Sequence, residues 1–421
     1  MNPALSSSRP LAALTWDWRA VIGNVLLLSA GLVLFFPSPL LPLGFFSILL
    51  WYLWRWITRT SPVPKTPVNL FVLIFLLMLA VGLRIAPEPE FSTTTVGHAL
   101  LGITLFFAIQ DWADSSSALW RVLEVTVLFG LAFAFASPFV TSGGWGKLFD
   151  VSVISARFHP LLAEPSNPNI VAGMFAPMVP LAGALIASQR PVGRIIGAVA
   201  LLPLIVMLVL LQSRGALFAA VMGLVVYATF YWKWVLPLVP LTLLVGLWFN
   251  NVNGAPVPIQ FFVERNINYA PLNPELREPI WAQSLAQFER SPLVGIGTNE
   301  LYINREPNSA TPLLVHLHAH NLWLQIGLDT GIIGLAAFVG LFGDALLNAW
   351  RAYQHRFERA LAIGLLASLA SIVVHSMLDT IYWGMKPAAL LWVVLGVAIA
   401  LGTLERQRQP FRTESYTPNV I

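Results

Sequence analysis

Three histidines stand two residues apart, at His316, His318 and His320. On a strand they would share a face, but the outer two would lie ~13 Å apart, too far to bind one ion. On a helix His316 and His320 could share a metal ion, yet no carboxylate lies between them as in a zinc-protease motif. Hydrogen bonding at a membrane interface is therefore the favoured interpretation of His316 and His318, and no metal is expected.

His320 differs from the other two because it directly precedes a long apolar run, which is typical of a membrane helix. A neutral imidazole at the mouth of such a helix can act as a general base near physiological pH. The run contains Gly327 and Gly331 in a Gly-x-x-x-Gly pair, with Gly334 beyond. These glycines predict close approach of a neighbouring helix.

Arg214 interrupts another long apolar run, which begins at Ile195. An arginine costs several kcal/mol inside hydrocarbon, so Arg214 is expected at the tip of a helix hairpin or facing a polar cavity. One interpretation is a turn residue whose side chain snorkels to the interface. The other is an anion site, because a guanidinium holds phosphate oxygens through a rigid fork of donors.

The composition defines the setting of these residues. Of the 421 residues, 57% are hydrophobic and 10% are charged, whereas soluble domains average ~45–50% and ~25%. So few charges cannot cover a soluble surface of this size, which leaves a polytopic membrane protein. The absence of cysteine excludes disulfides, thiolate metal sites and cysteine nucleophiles. The net charge of +4 is spread along the chain, so no nucleic-acid partner is expected.

Continuous apolar stretches predict an all-α polytopic membrane protein with about twelve transmembrane helices, forming a single transmembrane domain over residues 1–421. The predicted spans lie at roughly 20–36, 39–57, 68–85, 96–110, 119–140, 169–188, 194–212, 215–231, 234–250, 320–343, 359–379 and 387–404. The excess of lysine and arginine in alternate short connections predicts that both termini are cytoplasmic. Membrane lipids are therefore expected partners.

This orientation leaves two large segments on the outer side, a smaller loop over residues 141–168 and a large loop over residues 251–319. A structureless connection as long as the second would be unusual, so we expect it to be folded and functional. Residues 273–292 predict one helix or two short ones, and a continuous helix puts Arg277 and Trp281 on one face. Sharp turns are expected beyond it, at Gly295 and Gly297.

Four groups of residues resemble the bacterial O-antigen ligases (lipid A-core:surface polymer ligases) of the O-antigen ligase/polymerase superfamily. They are His320-Asn321 with Gly331 and Gly334; Gln212-Ser213-Arg214-Gly215; Arg277 and Trp281 followed by residues 291–297; and Asn167-Pro168-Asn169 with Ala172. The resemblance covers residues 150–345 and extends to the predicted topology, with one dominant periplasmic loop before the tenth span.

The resemblance implies a GT-C-like fold and a glycosyltransferase of lipopolysaccharide biosynthesis in the bacterial inner membrane. The donor would be O-antigen polysaccharide linked to undecaprenyl diphosphate, and the acceptor a sugar hydroxyl of lipid A-core. Transfer would occur at the periplasmic face with inversion at the anomeric carbon. No nucleotide sugar, cofactor or metal would be needed.

Within this resemblance, we expect His320 to be the general base and guanidinium groups to bind the diphosphate. The predicted diphosphate ligands are Arg214, Arg277 and Arg265. Secondary candidates are His318, Arg157, Lys386 and Asp379, the last accompanied by His375. For Asp379 and His375 both orientation of a catalytic group and ordinary hydrogen bonding between helices remain open.

Three alternatives compete with the ligase. An O-antigen polymerase and a protein O-oligosaccharyltransferase belong to the same superfamily and differ in their acceptor. A lipid-linked sugar transporter or flippase is the alternative from another class, but the charged residues gather at one rim of the predicted bundle rather than at a midplane site.

Overall fold

The computed structural model is built mostly of α-helices. The structure describes residues 18–35, 41–59, 61–141, 167–211, 213–231, 274–304, 314–316, 318–385 and 387–408. The chain divides into two compact units, Met1–Val63 and Pro64–Ile421.

The first unit contains two helices, α1 (Trp18–Phe35) and α2 (Leu41–Arg59), which pack against each other. The hydroxyl of Ser29 on α1 donates a hydrogen bond of 3.2 Å to Ser47 on α2. Both helices are strongly apolar, and several of their large side chains are exposed.

The second unit contains ten described helices and two short strands. They are α3 (Asn69–Ile85), α4 (Pro89–Trp112), α5 (Ser116–Val140), α6 (Pro168–Ala187), α7 (Pro191–Leu211), α8 (Arg214–Tyr231), α9 (Pro274–Arg290), β1 (Tyr302–Asn304), β2 (Leu314–His316), α10 (Leu322–Gln354), α11 (Arg359–Ser376) and α12 (Ala388–Arg408). The two strands pair antiparallel, with Ile303 opposite Val315.

Eight of these helices are long and apolar enough to cross a membrane, counted over the described residues: α4 from Ser92 onward, α5, α6, α7, α8, α10, α11 and α12. The prediction of an all-α polytopic membrane protein is confirmed. The predicted span at 234–250 lies outside the described residues, and the apolar parts of α1 and α3 are shorter than a full span. The number twelve stays a prediction.

Helix α6 forms the centre of the second unit and contacts α5, α7, α8 and α11. Nearly all of its side chains are buried. Small residues permit this packing, because a methyl group built on Gly364 of α11 would lie 2.5 Å from the side chain of Ala184. Its first turn is capped by Asn167, whose side chain accepts from the Asn169 N–H at 2.8 Å, and Pro168 follows at the first helical position.

The tenth predicted span is where the structure departs most from the sequence pattern. The pattern predicts one continuous helix, but α10 is interrupted at Gly331, which has φ 68° and ψ −178°. The glycines were predicted to admit a neighbouring helix. Gly334 does approach α3, at Met78, but Gly331 admits a loop instead.

That loop is residues 291–297, which follow α9. The Ile296 N–H donates to the Leu328 carbonyl at 2.7 Å, and the Ile332 N–H donates to the Pro292 carbonyl at 2.8 Å. These bonds use backbone groups that the break would otherwise leave without partners. The predicted turn is present, with Gly295 at φ 81° and Gly297 at φ 111°.

We expect Gly331→Ala to destabilise the protein severely. This combination of φ and ψ is adopted almost only by glycine and costs another residue ~1–3 kcal/mol, and the alanine Cβ would lie 2.0 Å from the Leu293 carbonyl oxygen. The measurement is the apparent Tm of the purified protein in detergent. Gly343→Ala is the matched control on the same helix, because a methyl group there meets no atom within 4 Å. An unchanged Tm for Gly331→Ala would contradict the insertion of the loop.

Candidate functional site at the loop end of the bundle

Helix α9 joins two chain segments that carry predicted site residues. The Trp281 indole N–H donates to the Ala319 carbonyl at 2.9 Å. The guanidinium of Arg277, one turn earlier on the same face, donates to the Leu378 carbonyl. The sequence predicted this shared face, and residues 274–290 form one helix despite Pro279. Trp281 therefore fixes the chain next to His320, and Arg277 fixes it next to Asp379.

His320 occupies a strained position at the start of α10. Its φ of 49° lies in the left-handed region, which costs a non-glycine residue ~1–3 kcal/mol and is found most often at functional sites. The next residue, Asn321, caps α10 by accepting from the Leu324 N–H at 3.1 Å. The His320 side chain keeps a third of its surface exposed, so one side of the imidazole is open to a ligand.

Asp379 faces His320 from the segment that follows α11. Its Oδ1 lies 3.3 Å from Nδ1 of His320 and accepts from the Thr380 N–H at 2.8 Å. Burial alone would raise the pKa of Asp379, but the hydrogen bond with His320 and the charges of His320 and His375 lower it below its ordinary value. Asp379 is therefore a carboxylate at neutral pH. It can orient the imidazole and leave Nε2 for another partner.

Two arginines lie beside this pair. Burial lowers the pKa of Arg277, and the charge of Asp379 opposes that shift. Arg214, the first residue of α8, lies close enough to Arg277 for the two charges to repel. Its neighbour Gly215 packs against Leu378, because a Cβ built there would lie 3.6 Å from the Leu378 Cβ. Two like charges held together favour the binding of an anion, which relieves their repulsion.

His375 lies behind the pair and is buried. Its ring packs edge-on against Tyr382 at a centroid distance of 5.7 Å, and the Tyr382 hydroxyl donates to the Gly173 carbonyl at 2.8 Å. Glycine at position 173 leaves room for the imidazole, since a Cβ there would lie 3.0 Å from its Nε2. The His375 ring, on α11, thus packs against α6, and the His375 carbonyl accepts from the Asp379 N–H at 2.9 Å.

The residue that holds these segments together, Asp329, was not singled out from the sequence. Its carboxylate is fully buried inside α10. Oδ2 accepts from the Trp383 indole at 2.6 Å, while Oδ1 accepts from the Asn299 N–H at 3.0 Å and from the Gln325 amide at 2.9 Å. The signal was present, because Asp329 is the one charged residue in the predicted span 320–343, and charges in spans are expensive.

A second buried acid connects the same loop to α4. Glu300 accepts from the Glu88 N–H at 3.1 Å and from the Ser92 hydroxyl at 3.4 Å. The Ser92 hydroxyl also donates to the Thr298 carbonyl at 2.6 Å. The loop is therefore fixed at both α10 and α4, and it forms a rigid wall next to the site.

A polar cavity of about 190 Å³ opens beside this wall. Its polar lining includes Glu90, Thr94, Thr95, Asn299, His318 and Thr380. His318, predicted as a secondary site residue, thus lines this cavity.

A comparison with known protein families identifies the segment that contains most of these residues. Residues 199–339 match the family model described as O-antigen ligase. This segment is therefore similar to the O-antigen ligase/polymerase superfamily. No curated protein matches the chain. The match covers a third of the chain, from α7 into α10, and it indicates a multi-pass membrane enzyme of the O-antigen ligase or polymerase type.

The matched segment contains Arg214, Arg277 and His320, and the structure brings these three together with Asp379 from outside it. Three further predicted residues lie outside the described part of the chain: Arg157, Arg265 and Lys386. The His316 side chain also lies outside it. Among the described residues, no group of three or more histidine or acidic side chains is arranged to hold a metal ion.

We expect Asp329→Asn to destabilise the protein, since an amide NH2 group would face a donor N–H in a buried site. An unsatisfied buried polar group costs ~1–3 kcal/mol. Thermal unfolding of the purified variant measures the loss. The matched control is Asp344→Asn on the same helix, because its carboxamide oxygen can still accept from Asn348. Equal Tm values for the two variants would contradict the role of Asp329.

Proposed function

We propose that this protein is an O-antigen ligase of lipopolysaccharide biosynthesis. It transfers polysaccharide from undecaprenyl diphosphate to a sugar hydroxyl of lipid A-core. The observation that carries the proposal is the contact of His320 with Asp379, 3.3 Å apart, beside the neighbouring guanidiniums of Arg214 and Arg277. A base and a pair of cations are what this transfer requires at one point.

His320 acts as the general base. With Nδ1 directed to the Asp379 carboxylate, Nε2 takes the proton of the acceptor hydroxyl as its oxygen attacks the anomeric carbon of the donor sugar. Asp379 is a positioning residue, which holds the ring and stabilises the charge that the imidazole gains. Direct attack opposite the leaving group inverts the anomeric carbon.

Arg214 and Arg277 bind the leaving diphosphate. As the bond between the anomeric carbon and the phosphate oxygen breaks, its electron pair stays on the diphosphate, and the added negative charge falls next to both guanidiniums. Donors fixed in advance stabilise such charge in the transition state more than in the ground state. Arg265 is a further diphosphate ligand in this proposal. Arg157 and Lys386 extend the basic lining.

The proposed enzyme lies in the bacterial inner membrane with the site facing the periplasm. Eight helices of the described chain are suited to span a membrane, and the excess of lysine and arginine at the opposite end of the bundle favours a cytoplasmic position for that end. Polar side chains pair there: Arg190 and Glu124 lie 2.9 Å apart, and the His355 imidazole lies 2.6 Å from the Glu405 carboxyl group. Lipid-linked donor and lipid-linked acceptor both reach a periplasmic rim from the bilayer.

We expect His320→Ala and Arg214→Ala to abolish transfer. Loss of one pre-set donor costs ~10²–10³-fold in rate, and loss of the base ~10²–10⁴-fold. The assay combines purified protein, lipid-linked polysaccharide and lipid A-core in excess chelator, and a gel shift reports the product. Chelator is included because the proposed mechanism uses no metal.

The control for this experiment is Arg84→Ala, which removes an exposed arginine in the last turn of α3. It should transfer as the parent protein does. All three variants should insert and accumulate, which size-exclusion chromatography verifies. Parental transfer by either site variant would refute the mechanism.

A deletion strain separates the ligase from a polymerase of the same superfamily. Loss of a ligase leaves lipid A-core without any O-antigen, while the lipid-linked polymer accumulates. Loss of a polymerase still permits attachment of a single repeat unit. We expect bare lipid A-core on a lipopolysaccharide gel, and a core carrying one repeat would assign the chain to the polymerases instead.

A further inference from the structure

The polar cavity adjoins the proposed base through two consecutive residues. Asp379 contacts His320, and the N–H of the next residue, Thr380, donates to the same carboxylate oxygen at 2.8 Å. Thr380 is also a wall of the cavity, as is His318, two residues before His320. The cavity wall is therefore one residue away from Asp379 and two residues away from His320 along the chain.

The lining suits a neutral polyhydroxyl ligand. It presents hydroxyls of threonine, carboxamides of Asn299 and Gln325, the carboxylate of Glu90 and the indole of Trp383. No lysine or arginine is present among the described residues that line it. Sugar hydroxyls both donate and accept, so they match this mixture, whereas a phosphate would meet one carboxylate and no cation among these described residues.

The cavity is small. Sites for drug-sized ligands usually occupy ~300–1,000 Å³, and this one has about 190 Å³. It is therefore suited to one sugar ring rather than to an oligosaccharide or a lipid chain.

One group in the wall lacks a partner. The Thr380 hydroxyl is buried, and within the described chain its oxygen has no hydrogen-bond partner. A buried polar group without a partner costs ~1–3 kcal/mol, and its position on a polar cavity points to a ligand that supplies the missing bond.

The walls are rigid. The Trp383 indole is held by Asp329 at 2.6 Å, and the Gln325 carboxamide oxygen accepts from the Ala319 N–H at 2.8 Å. Gly384 has φ 68°, and a Cβ there would lie 2.7 Å from the Thr95 hydroxyl oxygen, so the chain closes tightly over the cavity. Such a preformed site binds without reorganisation.

We propose that this cavity binds the acceptor sugar of the transfer reaction, a single ring whose free hydroxyl reaches His320. The inference rests on the proposed function and adds the acceptor subsite to it. Three consecutive residues then have different roles. The Leu378 carbonyl binds Arg277 on the donor side, Asp379 positions His320, and Thr380 lines the acceptor subsite.

The test is Thr380→Val, which removes the hydroxyl and keeps the shape of the side chain. Initial rates of transfer are measured with the purified full-length protein while lipid A-core and lipid-linked polysaccharide are varied in turn. Loss of one hydrogen bond is expected to raise the KM for lipid A-core about three- to tenfold and to leave the KM for the donor unchanged. Core oligosaccharide released from lipid A should compete with the acceptor, and more weakly in the variant.

Two further variants keep the test decisive. Glu90→Gln changes an exposed side chain of the cavity, so folding is preserved, and the KM for lipid A-core should again rise. Thr126→Val is the matched control on α5, where the hydroxyl donates to the Val122 carbonyl at 2.8 Å, and both KM values should stay as in the parent.

The outcomes separate the two proposals. If the parent protein transfers and both cavity variants raise the KM for lipid A-core alone, the acceptor subsite is supported. If the parent transfers but the variants leave that KM unchanged, or raise the KM for the donor instead, the subsite is refuted while the proposed function stands. If the parent protein does not transfer to lipid A-core, the proposed function fails, and the subsite fails with it.

Discussion

A buried carboxylate that must be fully hydrogen-bonded is the constraint on which this architecture depends. The polar carboxyl group of Asp329 is tolerated in the interior because donors from Trp383, Asn299 and Gln325 surround it. The first donor belongs to the segment after α11, the second to the loop after α9, and the third to α10 itself. One side chain therefore sets the distance between the three segments that carry the base, its aspartate and the arginine. Such networks stabilise a unique arrangement when every member has a partner.

The interruption of α10 also fixes these segments relative to one another. A continuous α10 would keep its backbone groups to itself, whereas the interruption at Gly331 exposes groups that bond residues 291–297. Backbone bonds of this kind do not depend on side-chain rotamers, so the position of the loop does not depend on them either. The proposed chemistry needs groups from distant parts of the chain kept within a fraction of an ångström of their working positions.

Local patterns predicted the helices well, because apolar runs of about twenty residues leave few alternatives in a membrane. The caps at Asn167 and Asn321, the shared face of Arg277 and Trp281, and the turn at Gly295 also follow from local rules. The contact of His320 with Asp379 could not be predicted, since these residues are far apart in the chain and no local rule relates them. The prediction for Gly331 was wrong for a related reason. A glycine in the sequence indicates that another part of the chain packs closely against it, but not whether that part is a helix or a loop.

The directions of the helices have a final consequence. α8 begins at Arg214 and α10 begins beside His320, so two helix amino termini point toward the same place. Each carries roughly half a positive charge that belongs to the peptide backbone and not to any side chain. Part of the electrostatic potential at this rim is therefore beyond the reach of mutation and independent of pH. Evolution or engineering can exchange the ionisable groups around it, yet the place will keep its attraction for negative charge as long as the fold survives.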